Sequence, residues 1–444
     1  MYRVISVALM FAWIAGSSAG AAAVNGGSIG VAANYHPGGA TSTEQQKIAS
    51  THDLVVLGTG WADEGPPSTY YQVNPGITAI VYQSWFDVSP GNPDYGTVNQ
   101  HEDWFYHDAQ GNRVTVYSTH QNADCDPALC RANSAYCNCR FGMNMGHPDY
   151  RAFVAARLAD IVTGGGAWGG TRGHDGIFLD NTNPSWPYRT AKVQSGWTSG
   201  TPVYPGGSVQ TEHAWIADQK GFLQVVKTAM GASKTLIYNG CAASSNFPTW
   251  KQASYEFLQY ADGCTMENWV VSGTGAAAMA RLGAEWDRDM DLFQGVVDRG
   301  KWASPLIGSG VHSPSVNRYG IVSVFLFQES DRAFVNFWKG TAEEAIANRF
   351  PQTFPEVAVE LGLPLGRFTK LPNGVASRGF SRGRVLLNPT PSTQTVVLGE
   401  TLRTMGGAQV TSLTLAPGTA EILVRDVPED GPPPPDNLRR DDIR

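Results

Sequence analysis

Eight short apolar runs punctuate the chain between residues 28 and 338. They read SIGVAANY (28–35), DLVVLG (53–58), ITAIVYQSW (77–85), DGIFLD (175–180), TLIYNG (235–240), GCTMENW (263–269), SPLIGSG (304–310) and RAFVNFW (332–338). A strand with one wet face alternates apolar and polar residues. Most of these runs are unbroken, which predicts cover on both faces, as in a parallel sheet. Helical periodicity lies between them. Over 148–162, Phe153, Ala156, Leu158 and Ile161 share a side, and similar signals cover 211–230, 276–297 and 341–350. The helices after the first two strands are short and indistinct. Strands alternating with helices predict an α/β fold, a (β/α)8 TIM barrel over residues 24–366. An open doubly wound sheet is the structural rival, but GVAANYHPGG after the first strand is not the glycine fingerprint of a nucleotide-binding sheet.

After residue 366 the pattern changes to short alternating strands with turn residues, predicting a small all-β, sandwich-like domain over 367–426. The tail, 427–444, contains GPPPPDNLRRDDIR and is expected to be disordered. At the other end, Arg3, the apolar run 4–14 and Ala21-Ala22-Ala23 form a signal peptide, 1–23, too short to span a bilayer. A secreted protein is expected, extracellular or periplasmic, with no membrane span. The six cysteines then have an oxidising compartment. Cys125, Cys130, Cys137 and Cys139 are clustered without a histidine, which favours disulfides over a metal. Cys241 and Cys264 pair if their elements are neighbours.

A net charge of -7 argues against a nucleic-acid partner, and no metal or cofactor motif is present. Thirteen tryptophans are too many for the core alone, because several stand in Gly-, Pro- and Asn-rich stretches. Two connections are unusually long, 86–147 and 181–210. Both follow the carboxyl ends of strands, where barrel enzymes carry their sites. In GIFLD, residues 176, 178 and 180 share a face, so Asp180 points to the barrel axis if Phe178 does. Glu267 ends the sixth run in the same way. Alternate strands feed the same barrel layer, so Asp180 and Glu267 are placed to face each other across a cleft. Two facing carboxyls are what glycoside hydrolysis requires, one to protonate the leaving oxygen and one to attack the sugar or activate water. Asp175 precedes its strand and reads as structural.

Sugar rings present apolar faces and hydroxyl edges, so aromatic and amide groups at strand ends suit them. Candidate substrate-binding residues are Tyr35, Tyr82, Trp85, Asn181, Trp186, Asn239, Trp269 and Asn336. Asn34, Tyr238 and Trp338 stand at strand ends too, while Glu329 and Asp331 precede the eighth strand and rank lower.

The segments MGHPDYRAFVAARLADIV, GHDGIFLDNTN, ADGCTMENW and ELGLPLGRFTKLPNGVASRGFSRGRVLLNPT together resemble the glycoside-hydrolase-like (β/α)8 barrel families described as hypothetical glycosyl hydrolases. A more distant likeness is to α-1,4-polygalactosaminidase-type barrels. The resemblance spans most of residues 28–425. It implies a secreted hydrolase of a polysaccharide, with Asp180 and Glu267 as its catalytic pair, and leaves the substrate unspecified. The cysteine-rich insert at 125–139 departs from the pattern. The reading is a monomeric glycosidase without cofactor, acting on a polysaccharide or oligosaccharide. Two alternatives stand beside it, a carbohydrate-binding protein on a barrel and a polysaccharide lyase.

Overall fold

The computed structural model describes residues 29–36, 40–58, 67–107, 111, 113–116, 140–164, 173–184, 211–242, 248–273, 277–308, 310–329 and 331–426. The leader, the cysteine cluster at 125–139, Trp186 and the tail after 426 lie outside the described residues.

The eight runs form one parallel sheet. Its strands are β1 (Gly30–His36), β2 (Leu54–Leu57), β3 (Thr78–Gln83), β4 (Gly176–Leu179), β5 (Thr235–Asn239), β6 (Gly263–Thr265), β7 (Trp302–Ala303) and β8 (Phe334–Trp338). They are hydrogen-bonded in the order β7-β6-β5-β4-β3-β2-β1-β8. Parallel bridges Ala303 to Ala333 and Leu306 to Asn336 join the two ends, so the sheet closes into the expected TIM barrel. A helix follows each strand: α1 (Ser42–Ala49), α2 (Ser68–Val73), α3 (Pro148–Thr163), α4 (Glu212–Met230), α5 (Pro248–Phe257), α6 (Ala284–Val297), α7 (Pro314–Phe327) and α8 (Gly340–Ile346).

Two boundaries differ from the sequence expectation. The seventh strand lies at 302–303 rather than across 304–310. Pro305 brings no amide hydrogen, and Gly308 and Gly310 adopt positive φ, so the run cannot continue as a ladder. Helix α6 begins at Ala284 instead of 276, because Met279–Ala280 pairs with Val271–Ser272 as a two-stranded ribbon first.

Strand alternation sorts the side chains. Ala32, Leu54, Val56, Ile80, Tyr82, Phe178, Ile237 and Phe334 fill the barrel interior. The residues that alternate with them, among them Ala33, Val55, Val81, Leu179 and Tyr238, pack outward into the helix layer. Phe178 therefore points in and Leu179 out, which aims Asp180 at the axis.

The amino-terminal end of the barrel is tied by aspartates. Asp53 accepts from Val31 N at 3.0 Å, Asp175 from Ala79 N at 2.9 Å, and Asp262 from Leu236 N at 2.8 Å. Each carboxylate sits just before its own strand and holds the amide of the second residue of the preceding strand. Asp175 also accepts from the Tyr71 hydroxyl at 2.6 Å. Replacing it with alanine should cost about 1.5–3 kcal/mol. The check is a lower urea midpoint with an unchanged slope.

Among the described residues a disulfide joins Cys241 to Cys264, just past β5 and within β6, with Cα atoms 5.8 Å apart. The insert after β3 contributes a small three-stranded sheet of Asp87–Val88, Thr115–Val116 and Arg140–Gly142. Its aromatics seal it to the barrel helices: Phe86 packs edge-on against Trp215 of α4, and Trp104 against Tyr150 and Phe153 of α3.

Beyond the barrel lie β9 (Thr369–Lys370), β10 (Ala376–Phe380), β11 (Gly383–Asn388), β12 (Gln394–Thr404), β13 (Gln409–Leu415) and β14 (Thr419–Val424). They form an antiparallel sheet in the order β9-β10-β11-β14-β12-β13. Val375, Leu386 and Leu423 share a core with Val396, Leu398 and Leu415 of the β12–β13 ribbon, so the sheet covers its own apolar face. It docks on α6 and α7. Phe368 meets Trp286 of α6 edge-on, Phe380 meets Phe325 of α7, and Arg318 of α7 pairs with Glu421 of β14. Among the described residues no helix is long and apolar enough to cross a membrane.

Candidate active site

The carboxyl ends of β3, β4, β5 and β6 converge on one group of polar side chains. Asp180 follows β4 and Glu267 stands two residues past β6. In each case the next residue is an asparagine in the left-handed region, Asn181 at φ 58° and Asn268 at φ 53°. Asparagine tolerates this conformation better than other residues with a Cβ. The chain thus turns off the barrel immediately after presenting each acid.

Asn239, the last residue of β5, lies between the two acids. Its Nδ2 donates to Asp180 Oδ1 at 2.8 Å and to Glu267 Oε1 at 2.8 Å. The two carboxylate oxygens are therefore no further apart than twice 2.8 Å. Both hydrogens of one amide are used, so the carboxyls are fixed to each other and to the strand between them.

Asp180 is 8% exposed and fully engaged. Its Oδ2 accepts from the Tyr82 hydroxyl and, at 3.2 Å, from Asn181 Nδ2. Burial, and then the charge of Asp180, push the Tyr82 phenol well above its usual range, so it stays neutral and donates. Glu267 keeps its carboxyl open to solvent. The protein crowded around it and the negative charge of Asp180 nevertheless raise its pKa, while the Asn239 bond opposes them. One acid is thus held by three donors and the other is biased toward its protonated form. This division suits a nucleophile or base beside a proton donor.

The sign of these effects makes a test. In Asn239→Ala the N–H that favours the Glu267 carboxylate is gone, so Glu267 should titrate at higher pH. In Asp180→Asn a neighbouring negative charge is gone, so Glu267 should titrate lower. Carboxyl carbon NMR shifts followed against pH read both. Movement in the same direction in the two variants contradicts the arrangement.

Behind Tyr82 the insert contributes two residues that sequence reasoning missed. Asp87 is fully buried, and Arg140 Nε donates to its Oδ1 at 2.6 Å. Burial pushes Asp87 up to about 6 against the pull of Arg140. Arg140 also reaches Ser84 Oγ at 3.4 Å, and Asn181 Nδ2 approaches the same oxygen at 3.5 Å. Their sequence signal is weak. Arg140 stands beside a cysteine cluster, Asp87 follows an aromatic run, and neither belongs to a barrel strand.

Of the residues proposed from sequence, Asp180, Glu267, Tyr82, Asn181 and Asn239 come together. Trp85 does not: it is 1% exposed, its Nε1 bonds Gln83 Oε1 at 3.0 Å, and its ring meets Phe153 of α3. It stands an odd number of residues from the inward Tyr82, which puts it in the helix layer. Trp269 is likewise wholly buried, bonded through Nε1 to Asp289 O at 3.0 Å and wedged edge-on between Phe293 and Phe327. The left-handed residues Asn268 and Val270 on either side of it break the alternation with Glu267. Asn336 points inward but is completely covered, with Nδ2 on Ser304 Oγ at 3.1 Å, so it belongs to the barrel interior. Tyr35 is in β1 but its side chain lies outside the described residues, as does Trp186. Glu329 pairs with Arg378 of β10 at 3.0 Å, on the docked sheet and not at the site.

No curated protein matches the sequence. Among solved structures, an Anoxybacillus α-amylase is similar at 11% identity over 87% of this chain and 89% of its own, with a TM-score of 0.42. The Nostoc punctiforme debranching enzyme is similar at 13% identity over 86% and 88%, also at 0.42. At these scores neither adds to what the strand order already shows. The model of hypothetical glycosyl hydrolase family 15 matches residues 73–384, a stretch that includes both acids and the amide between them. The chain belongs to hypothetical glycosyl hydrolase family 15 and is a glycoside hydrolase.

Proposed function

We propose that the protein is a secreted, retaining glycosidase that cleaves O-glycosidic bonds of a polysaccharide or oligosaccharide. Asp180 is its nucleophile and Glu267 its acid/base. The observation that carries this reading is the shared Asn239 amide, which keeps one oxygen of each carboxyl within twice 2.8 Å of the other, close to the ~5–5.5 Å spacing of retaining enzymes. Inverting enzymes need room for a water between their carboxyls and set them ~6.5–9.5 Å apart.

In the first step Asp180 attacks the anomeric carbon. The glycosidic bond breaks with its electron pair going to the leaving oxygen, which takes the Glu267 proton. In the second step Glu267, now ionised, takes a proton from water, and the hydroxide oxygen displaces Asp180 from the sugar. Each step inverts the anomeric centre, so the product keeps the starting configuration. The donors on Asp180 serve both steps. They hold its carboxylate in line and stabilise the charge it regains as leaving group. The raised pKa of Glu267 keeps the proton available at the pH where Asp180 must be ionised.

The test is a panel of polysaccharides and aryl glycosides, followed on the first cleaved substrate by proton NMR of the anomer released before mutarotation. Retention of configuration is expected. First release of the opposite anomer overturns the retaining scheme, and unsaturated products would mean a lyase. Secretion is checked separately by sequencing the amino terminus of exported protein, expected to begin just after residue 23.

A further inference from the structure

We infer that Trp338 is the platform on which the sugar ring at the cleavage point stacks, facing Asp180 from the opposite wall of the barrel mouth. This rests on the glycosidase reading for the identity of the ligand.

Three observations lead there. The first is position. In an eight-stranded ring β8 is four strands from β4 in either direction, so the end of β8 lies across the axis from Asp180. Trp338 is the last residue of β8, and its ring packs against the interior cluster that contains Phe178 and Phe334. It is only part-buried, whereas Phe334 below it is 2% exposed. Trp302 holds the matching place at the closed end, stacked on Phe334 with ring centroids 5.3 Å apart. One tryptophan plugs the base of the barrel and the other lies at its mouth.

The second is the backbone. All four even-numbered strands leave the barrel through a residue with positive φ: Gly58 after Leu57, Asn181 after Asp180, Asn268 after Glu267, and Lys339 after Trp338 at φ 56°. Glycine and asparagine accept that conformation at little cost. Lysine does not, and backbone strain of this kind concentrates where a side chain must be aimed. Trp338 thus occupies on β8 the place that the two acids occupy on β4 and β6, and even-numbered strands supply one layer of a barrel.

The third is the polarity beneath it. Asn34 of β1 is the register partner of Trp338 and is 1% exposed. Neither its Nδ2 nor its Oδ1 has a partner among the described residues. Buried amides without partners are uncommon in folded proteins and call for an explanation. At the edge of an aromatic platform they match the hydroxyl rim of a pyranose, whose apolar face would lie on the indole.

The experiment uses the full chain in a Glu267→Gln background, titrated with oligosaccharides from the panel while tryptophan fluorescence is recorded. Initial rates on the cleaved substrate are measured in the otherwise unaltered enzyme. Trp338→Ala should abolish the ligand-dependent fluorescence change and lower kcat/KM by about 100-fold, with the protein still folded at the assay temperature despite a lower melting midpoint. Trp338→Phe, which keeps an aromatic face, should recover most of the rate without the fluorescence signal. Cleavage that survives Trp338→Ala within about twofold overturns this inference alone. Binding without cleavage, with the signal lost in Trp338→Ala, overturns the hydrolase reading and supports the platform. Neither binding nor cleavage overturns both.

Discussion

Asp180→Asn and Glu267→Gln should each abolish most glycosidase activity while leaving the melting midpoint close to that of the parent. Both substitutions are nearly isosteric. Asp180→Asn exchanges an anion that accepts from Tyr82, Asn181 and Asn239 for an amide that cannot attack the anomeric carbon. Glu267→Gln removes the proton that the leaving oxygen must receive, and general acid catalysis is worth ~10²–10⁴-fold. The loss at Asp180 should be greater, because no other route to a covalent intermediate remains. Aryl glycosides with good leaving groups separate the two roles. They should restore the first step of Glu267→Gln, since a phenolate needs no proton, and should do nothing for Asp180→Asn. Azide extends the test. In Asp180→Gly it should yield a glycosyl azide of inverted configuration, and in Glu267→Ala one of retained configuration. The reverse pattern would exchange the two assignments, and near-parent turnover in either isosteric variant would remove that residue from the mechanism.

Arg378→Met should cost about 3–5 kcal/mol of stability, the range for breaking a buried charged network by removing one partner. The guanidinium comes from β10 of the carboxyl-terminal sheet and is completely buried. It closes the end of α7 by donating to the carbonyls of Phe325, Leu326 and Gln328 at 3.0, 3.1 and 2.6 Å. It also reaches Gly366 O at 2.8 Å and Glu329 Oε1 at 3.0 Å. A helix leaves its last carbonyls without internal partners, and a buried helix end must find them elsewhere. Methionine fills similar volume but leaves those oxygens and Glu329 unsatisfied. The measurement is a guanidinium chloride unfolding curve. Arg378→Lys should fall between the two, since an ammonium cannot reach all five acceptors. A loss below about 0.5 kcal/mol, the size of an ordinary surface substitution, would show that the network contributes little.

The barrel was legible because continuous apolar runs are what parallel strands look like, and Asp180 because strand alternation carries Phe178 and the acid to one face. Legibility ended where alternation did. Trp85 and Trp269 stand at the ends of apolar runs, where rim residues are expected, yet an odd step from Tyr82 and a left-handed turn on each side of Trp269 send both into the helix layer. Helix α7 gave no sequence signal for a different reason. Barrel and carboxyl-terminal sheet cover it from both sides, so from Tyr319 to Phe327 every residue is buried and no amphipathic stripe exists to be seen. Asn239 was a candidate for sugar contact, but its bridge between the two acids is a tertiary fact. No local pattern encodes the meeting of three strand ends. Arg140 and Asp87 were invisible because the insert that carries them follows no barrel periodicity.

The link between Cys241 and Cys264 staples the strand that ends in Asn239 to the strand that leads to Glu267. Its consequence is practical. Protein made where thiols stay reduced should be less stable and its proton donor less firmly aimed. Such a preparation should gain activity once air or an oxidant completes the link.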